Sequence, residues 1–333
     1  MPVSRRATKY LVPGLTLLGG LALISLAVGS RSIPLATTLQ ALQGVDLHSD
    51  AALIVRQLRL PRTLVALLAG GALGVAGALL QALARNPLAE PGLLGVNGGA
   101  ALAVMIGVVL LDLSSADQFM WSAFAGAALA AVTVCLLGQV SRGEPLRLVL
   151  AGAGLSMVLA SLMGILVFNT PPEVFDRFRL WAAGSLASSG LAGLGGPALA
   201  MGVGLFVALA IAPSLNALAL GREVGAALGA SLKVIWLMAF IAIVLLAGAA
   251  TALAGPIAFI GLVAPHVARW LAGPDQRVLL PWAALIGAVL LLAADVFGRL
   301  VAAPEEIAAG IVTLLLGGPC FILLVARLRP VHA

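Results

Sequence analysis

Charge is scarce in this sequence. Only 10% of its 333 residues are Asp, Glu, Lys or Arg, 62% are hydrophobic, and the mean hydropathy is +1.14. Domains that fold in water carry about 25% charged residues. A chain this apolar cannot cover a water-facing surface, which excludes an ordinary soluble fold. Lysine is scarcer still: Lys9 and Lys233 are the only two, and neither follows glycine. That excludes the phosphate-binding loop G-x-x-x-x-G-K-[ST], so the chain does not bind ATP in that way, and any ATPase that drives it is a separate polypeptide. Cysteine is limited to Cys135 and Cys320, both inside apolar runs, where they read as small core side chains and not as a disulfide framework.

What is present is a series of long apolar runs. A helix crosses the hydrocarbon of a bilayer with roughly 20 apolar residues. On that measure the chain has spans at 10–29, 62–83, 93–111, 118–138, 147–168, 191–212, 233–254, about 257–271, 279–299 and 306–326, with polar stretches at 30–58 and 169–190 and a loop at 213–232. This predicts an all-α polytopic membrane protein of about ten helices, folded as one domain over residues 1–333. Ser4-Arg5-Arg6 before Leu11 to Val28 has the look of a secretion signal. It reads better as an uncleaved first span, because the rest of the chain is itself membrane. The net charge of +6 comes from basic residues scattered singly between apolar runs, so it is a topology signal and not a nucleic-acid surface. With the N-terminus inside, twelve of the nineteen basic residues fall on the cytoplasmic side, as the positive-inside rule requires. Both termini are then cytoplasmic. Seven arginines remain outside, among them Arg59, Arg62 and Arg299.

Several segments carry more than hydrophobicity. Gly70, Gly74 and Gly77 share one face of the second span, which suits close helix packing or the lining of a wide path. Asn86-Pro87 and Glu90-Pro91 then break the helix. Irregular backbone at membrane depth must be buried in protein or line water, so a gate and a tight turn both fit. The loop 213–232 contains about two turns of short helix between Gly221 and Gly229, either a docking surface on the cytoplasmic face or a plain connector. His266 has no metal-ligand spacing to Cys135 or Cys320 and reads as a helix-end histidine beside Pro265. Asp295 and Arg299 stand four apart on the ninth span and pair on one face. The competing role for Asp295 is a proton relay.

At these segments the chain resembles the permease subunits of ATP-binding-cassette importers for ferric siderophores, ferric citrate, haem and vitamin B12. The resemblance runs from about Arg56 to Arg327. It rests on Arg59-Leu-Pro-Arg62, Gln81, Asn86-Pro-Leu-Ala-Glu-Pro-Gly-Leu-Leu-Gly95, Leu218-Ala-Leu-Gly221, Gly255-Pro-Ile-Ala-Phe-Ile-Gly261, Pro265-His266, Ala294-Asp295 and Gly317-Gly-Pro319. It implies a type II importer permease of ten helices in the bacterial inner membrane. The partners it implies are a second permease subunit (the same chain or another), two ATP-binding subunits, and a periplasmic or lipid-anchored substrate-binding protein. No cofactor is implied in this chain.

The resemblance also assigns residues. Leu218, Gly221, Arg222, Glu223, Gly225, Leu228 and Gly229 match the helix that couples to the ATPase. Arg59, Arg62 and Arg299 match basic positions that receive acidic residues of the binding protein. Asn86 and Leu88 match the cytoplasmic gate, and Gly70, Gly74, Gly77 and Gln81 are expected with them on the translocation pathway. Pro145 and Leu146 fall where some relatives have small polar gate residues. Leu94 to Ala101, Ala272 to Arg277 and Gly318 to Phe321 look most like ferric-citrate permeases, so the expected cargo is an iron chelate, with vitamin B12 or haem as alternatives. Two other readings need no family: a proton-coupled transporter built on Asp295, and an intramembrane enzyme using Ser156 and His266.

Overall fold

The computed structural model describes residues 5–29, 32–45, 48–139, 145–187, 191–219, 221 and 231–327. Among the described residues every regular element is helical. The helices are α1 (Arg5–Ala27), α2 (Leu35–Gln43), α3 (Asp50–Leu53), α4 (Leu60–Ala84), α5 (Val96–Leu111), α6 (Ala116–Gln139), α7 (Pro145–Phe168), α8 (Pro172–Ala182), α9 (Gly195–Ala219), α10 (Leu232–Ala254), α11 (Ile260–Ala272), α12 (Gln276–Val301) and α13 (Ala309–Arg327). A helix coincides with each of the ten expected spans. Seven of the described helices are long and apolar enough to cross a membrane, whereas Val96–Leu111 and Ala309–Leu323 are shorter apolar helices. Helix α11 has 13 residues, about 20 Å at 1.5 Å per residue, which is less than the hydrocarbon thickness of about 30 Å.

Two polar stretches hold more helix than their composition suggests. α3 runs through a π-turn, Ile54–Arg59, straight into α4, giving one continuous helix over Asp50–Ala84. Ser49 caps its start by accepting the Ala52 N–H at 3.3 Å. The segment after Pro171-Pro172 forms α8, because Pro172 sits in the first helical turn, where its missing N–H costs nothing. On α8, Phe175, Phe178 and Trp181 recur every three residues with adjacent ring centroids 6.2 Å apart, and Phe178 and Trp181 are buried.

Helix α4 is the centre of the bundle. Among the described residues it packs most extensively against α12, and also against α10 and α11. The glycine face explains how. Gly70 lies against the Gly287 carbonyl of α12, Gly74 against the Ala283 carbonyl, and Gly77 against the Gly261 carbonyl of α11. A Cβ at any of the three would overlap a backbone oxygen. Without a hydrophobic drive between helices in lipid, such close backbone contact is a main source of association. Of the two readings of this face, packing is the one the geometry supports. Helix α7, by contrast, turns Met157, Ile165 and Phe168 outward.

Alanine at Gly74 or Gly77 forces α4 away from a backbone that cannot rotate aside. Overpacking of this kind costs about 1–3 kcal/mol, more than the roughly 1 kcal/mol that alanine gains over glycine in a helix. Thermal unfolding in detergent should therefore show both variants less stable than the parent. Alanine at Gly19 or Gly20, with open space around each, should be neutral or slightly stabilising. Equal behaviour of the two pairs would overturn the packing role.

Candidate functional site

The polar chemistry of the bundle collects at the two ends of α4 and α12. At one end stand Arg59 and Arg62, where the π-turn meets α4, with Asp295 and Arg299 in the last turns of α12 and Glu306 just before α13. Arg62 Nε donates to Asp295 Oδ1 at 2.8 Å, its Nη2 lies 2.8 Å from the same oxygen, and its Nη1 donates to Glu306. Arg299 Nη2 is 3.0 Å from Asp295 Oδ2. The i, i+4 pair expected from the sequence is therefore present, and a second guanidinium joins it from α4.

The C-terminus of α1 supplies the remaining acceptors. Arg299 Nη1 donates to Ser25 O (2.9 Å) and Val28 O (3.1 Å), and Arg59 Nη1 donates to Leu26 O (2.8 Å). Carbonyls in the last turn of a helix lack intrahelical partners and carry the negative end of its dipole, so cations belong there. Arg299 Nη2 also donates to Ser25 Oγ (2.7 Å), which is 2.8 Å from Thr63 Oγ1. The network has a graded exposure: the side chains of Asp295 and Arg299 are 0% and 2% accessible, that of Arg62 10%, and that of Glu306 34%. Arg59, Arg62 and Arg299, expected to face a partner, thus all engage groups of their own chain. Glu306 is the most open member of these ion pairs.

At the opposite end, α4 stops at Arg85 in a left-handed conformation (φ 47°). Asn86 turns the chain by accepting the Leu88 N–H at 2.9 Å. Glu90 Oε1 accepts the N–H of Phe259 at 2.6 Å, and Phe259 itself has φ 68° at the start of α11. Burial raises the Glu90 carboxyl above its ordinary value, and the Phe259 hydrogen bond opposes this in part. Gln81 is buried, with its Nε2 3.4–3.5 Å from the carbonyls of Leu262 and Gly261, while Arg269 Nη2 donates to its Oε1 at 3.1 Å. His266 Nδ1 lies 2.9 Å from Leu262 O on its own helix.

Three more hydrogen bonds reach the end of α9. Arg85 Nη2 donates to Leu218 O at 2.9 Å. Asn216 donates to Asp275 Oδ1 at 2.6 Å and accepts the Gln276 N–H at 2.9 Å. Asp275 also caps α12 by accepting the Arg277 N–H. The Asn216 amide is the main cause that holds the Asp275 carboxyl below its ordinary value.

The expected site residues thus divide between two places. Gly70, Gly74, Gly77 and Gln81 lie between α4 and its neighbours α11 and α12, and Asn86 and Leu88 lie in the turn after α4. Leu218 ends α9 in a buried position, and Gly221 follows with φ 116°. Arg222, Glu223, Gly225, Leu228 and Gly229 lie outside the described residues, as do the side chains of Pro145 and Leu146, the first two residues of α7. Sequence reading missed Arg85, Asn216, Asp275 and Glu306. Only Asp275 left a trace, as an N-cap residue after Gly273-Pro274.

Two predictions follow the two ends. Removing one partner of a buried ion pair leaves the other uncompensated, at a cost of about 3–5 kcal/mol. Asp295→Ala should thus lower the yield of folded protein in size-exclusion chromatography, and Asp295→Asn, which keeps an acceptor, should do so less. A proton relay requires instead that Asp295→Asn fold at parental levels and lose only transport. For Glu90, a carboxyl raised by burial adds stability that is complete below its unfolded value, about 4.3. That stability is lost as pH rises through the folded value. The melting temperature of the parent relative to Glu90→Gln should therefore fall on going upward from about pH 4.3. Glu90→Ala, which strands the Phe259 N–H, should cost about 1–3 kcal/mol at all pH values. A flat difference between parent and Glu90→Gln would rule the account out.

Comparison with known proteins accords with this geometry. The profile of the FecCD transport family matches residues 16–327. The ferric enterobactin transport system permease protein FepD of Escherichia coli K12 is 45% identical over 320 residues, 95% of each chain. The Fe(3+)-citrate import system permease protein YfmD of Bacillus subtilis is 36% identical over 327 residues, 98% of this chain and 96% of the relative. Among solved structures, an inward-facing metal-chelate type ABC transporter superposes with a TM-score of 0.79 at 29% identity, covering 96% of this chain and all of that one.

Proposed function

The chain belongs to the FecCD transport family, and from that premise we propose that it is the membrane-spanning subunit of an ATP-driven importer that carries an iron chelate inward by alternating access. The observation that carries this reading is the length of the match. Identity of 45% to a ferric enterobactin permease extends over 95% of both chains, so it takes in both polar ends of the bundle and not only its apolar middle. The higher identity to that relative than to the ferric-citrate one favours a ferric siderophore as cargo.

In this reading the protein sits in the bacterial inner membrane with both termini cytoplasmic, and all ten apolar helices enter the bilayer. Two permease subunits, of one kind or two, enclose the path. Two ATP-binding subunits meet Leu218 to Gly229 from the cytoplasm. Asn86 and Leu88 gate the inner end, with Pro145 and Leu146 nearby. An acidic binding protein docks on the outer charge network. There, three guanidiniums (Arg59, Arg62, Arg299) face two carboxylates (Asp295, Glu306), so the network has one positive charge in excess. Complementary charge steers and orients such an encounter more than it adds affinity. Glu306, as the most accessible acid, is the group an incoming carboxylate competes with for Arg62.

The test is uptake into proteoliposomes containing the permease with its ATPase subunits and binding protein. Radioiron-labelled enterobactin, citrate and hydroxamate complexes should be compared with haemin and cobalamin. Import of at least one ferric chelate, dependent on ATP and indifferent to the proton gradient, is expected. Uptake that follows the proton gradient without ATP would replace this reading with a proton-coupled carrier.

A further inference from the structure

Helices α4 and α12 are joined near their middles by the contacts of Gly70 and Gly74 and pinned at one end by Arg62, Asp295 and Arg299. From Arg62 to Arg85 the helix spans about 35 Å at 1.5 Å per residue. At the far end both helices make polar contacts with the last turn of α9. Arg85, the residue that closes α4, donates to the Leu218 carbonyl. Asn216 grips the first turn of α12 twice, through the Asp275 carboxylate and the Gln276 N–H.

These contacts share three properties. They use carbonyls or side chains in the final residues of α9, whose last carbonyls lack intrahelical partners. They are polar and at the edge of the bundle, with Arg85 itself exposed and Leu218 buried beneath it. They also converge from two helices on one short stretch, Asn216 to Leu218, at the entrance to the segment assigned above to ATPase coupling. Elsewhere along its length α9 lies against α10, α4 and α12. What the contacts add is a fixed position for the α9 exit relative to the gate turn, since Arg85 is directly followed by Asn86.

We propose that Arg85 and Asn216 are positioning residues for energy coupling, which tie the exit of α9 to the α4–α12 pair so that motion of the coupling segment moves the gate turn and the far charge network as one body. The proposal rests on the importer reading above. A rigid element that both ends bias is the physical requirement for coupling between distant sites. Without the two ties the end of α9 is no longer fixed to the pair, so ATP is hydrolysed without moving it.

The experiment measures ATP hydrolysis and ferric-chelate uptake together. It uses the complete importer in proteoliposomes and the chelate, among the enterobactin, citrate and hydroxamate complexes, that the parent carries. Arg85→Ala and Asn216→Ala should lower the number of chelates moved per ATP about tenfold, within the range of site-to-site coupling. Hydrolysis per assembled complex should stay within about twofold of the parent. Arg85→Lys, which still offers a donor to the Leu218 carbonyl, should recover much of the loss. The proposal fails if the ratio of uptake to hydrolysis is unchanged, or if both fall in step with the amount of assembled complex. A parent complex that moves no ferric chelate with ATP is a different result: it removes the importer reading itself.

Discussion

Backbone oxygens seated against glycine set the shape of this molecule. Where Gly70, Gly74 and Gly77 face the carbonyls of Gly287, Ala283 and Gly261, α4 touches two neighbours at a distance no larger side chain allows. The same device joins α5 to α6, where Gly99 and Gly126 lie against each other's carbonyls. In water a bundle is held by the burial of apolar side chains, but in lipid the surroundings are as apolar as the core. Close fit then takes over, and it is unforgiving of added volume. The positions of the polar groups at both ends of α4 and α12 follow from this contact, because it fixes how the two helices are offset.

The charged end shows how ionisable groups are tolerated in such a bundle. Arg299 would be prohibitively costly alone, since an unpaired buried charge loses its hydration with nothing in return. Its charge is compensated by Asp295 beside it, and the end of α1 turns three carbonyls toward Arg299 and Arg59. The network is therefore structural first. Its members come from α1, the π-turn, α4, α12 and the loop before α13, so it joins elements far apart in the chain. Its accessible edge is a carboxylate, Glu306, and not naked arginines.

How much of this was legible in the sequence depended on the reach of each interaction. The apolar runs showed the helices, and the spacing of Asp295 and Arg299 showed their pairing, because both are local. Gly70, Gly74 and Gly77 showed a small face but not what lies against it. The long helix over Asp50–Ala84 was hidden by Arg59 and Arg62, which look like loop residues until Leu26, Asp295 and Glu306 supply partners from elsewhere in the chain. The helix after Pro172 was hidden by two prolines whose effect depends on their place in the first turn. Arg85 and Asn216 left no trace, since a donor to a carbonyl 133 residues away has no signature in composition or period. The family resemblance named the coupling and docking segments, but their intramolecular partners required coordinates.

The continuous helix over Asp50–Ala84 has 35 residues, about 52 Å at 1.5 Å per residue, against a hydrocarbon layer of about 30 Å. A simple apolar helix of that length would slide or tilt until its ends suited the bilayer. This one cannot slide. Arg62 is locked to α12 in the first turn of α4, and the glycine notches at Gly70 and Gly74 fix the same pair near their middles. Lipids of different thickness are therefore met by tilt of the whole bundle or by deformation of the surrounding leaflet. The membrane adapts to the permease in this fold, because a guanidinium and a carboxylate hold the long helix to its neighbour.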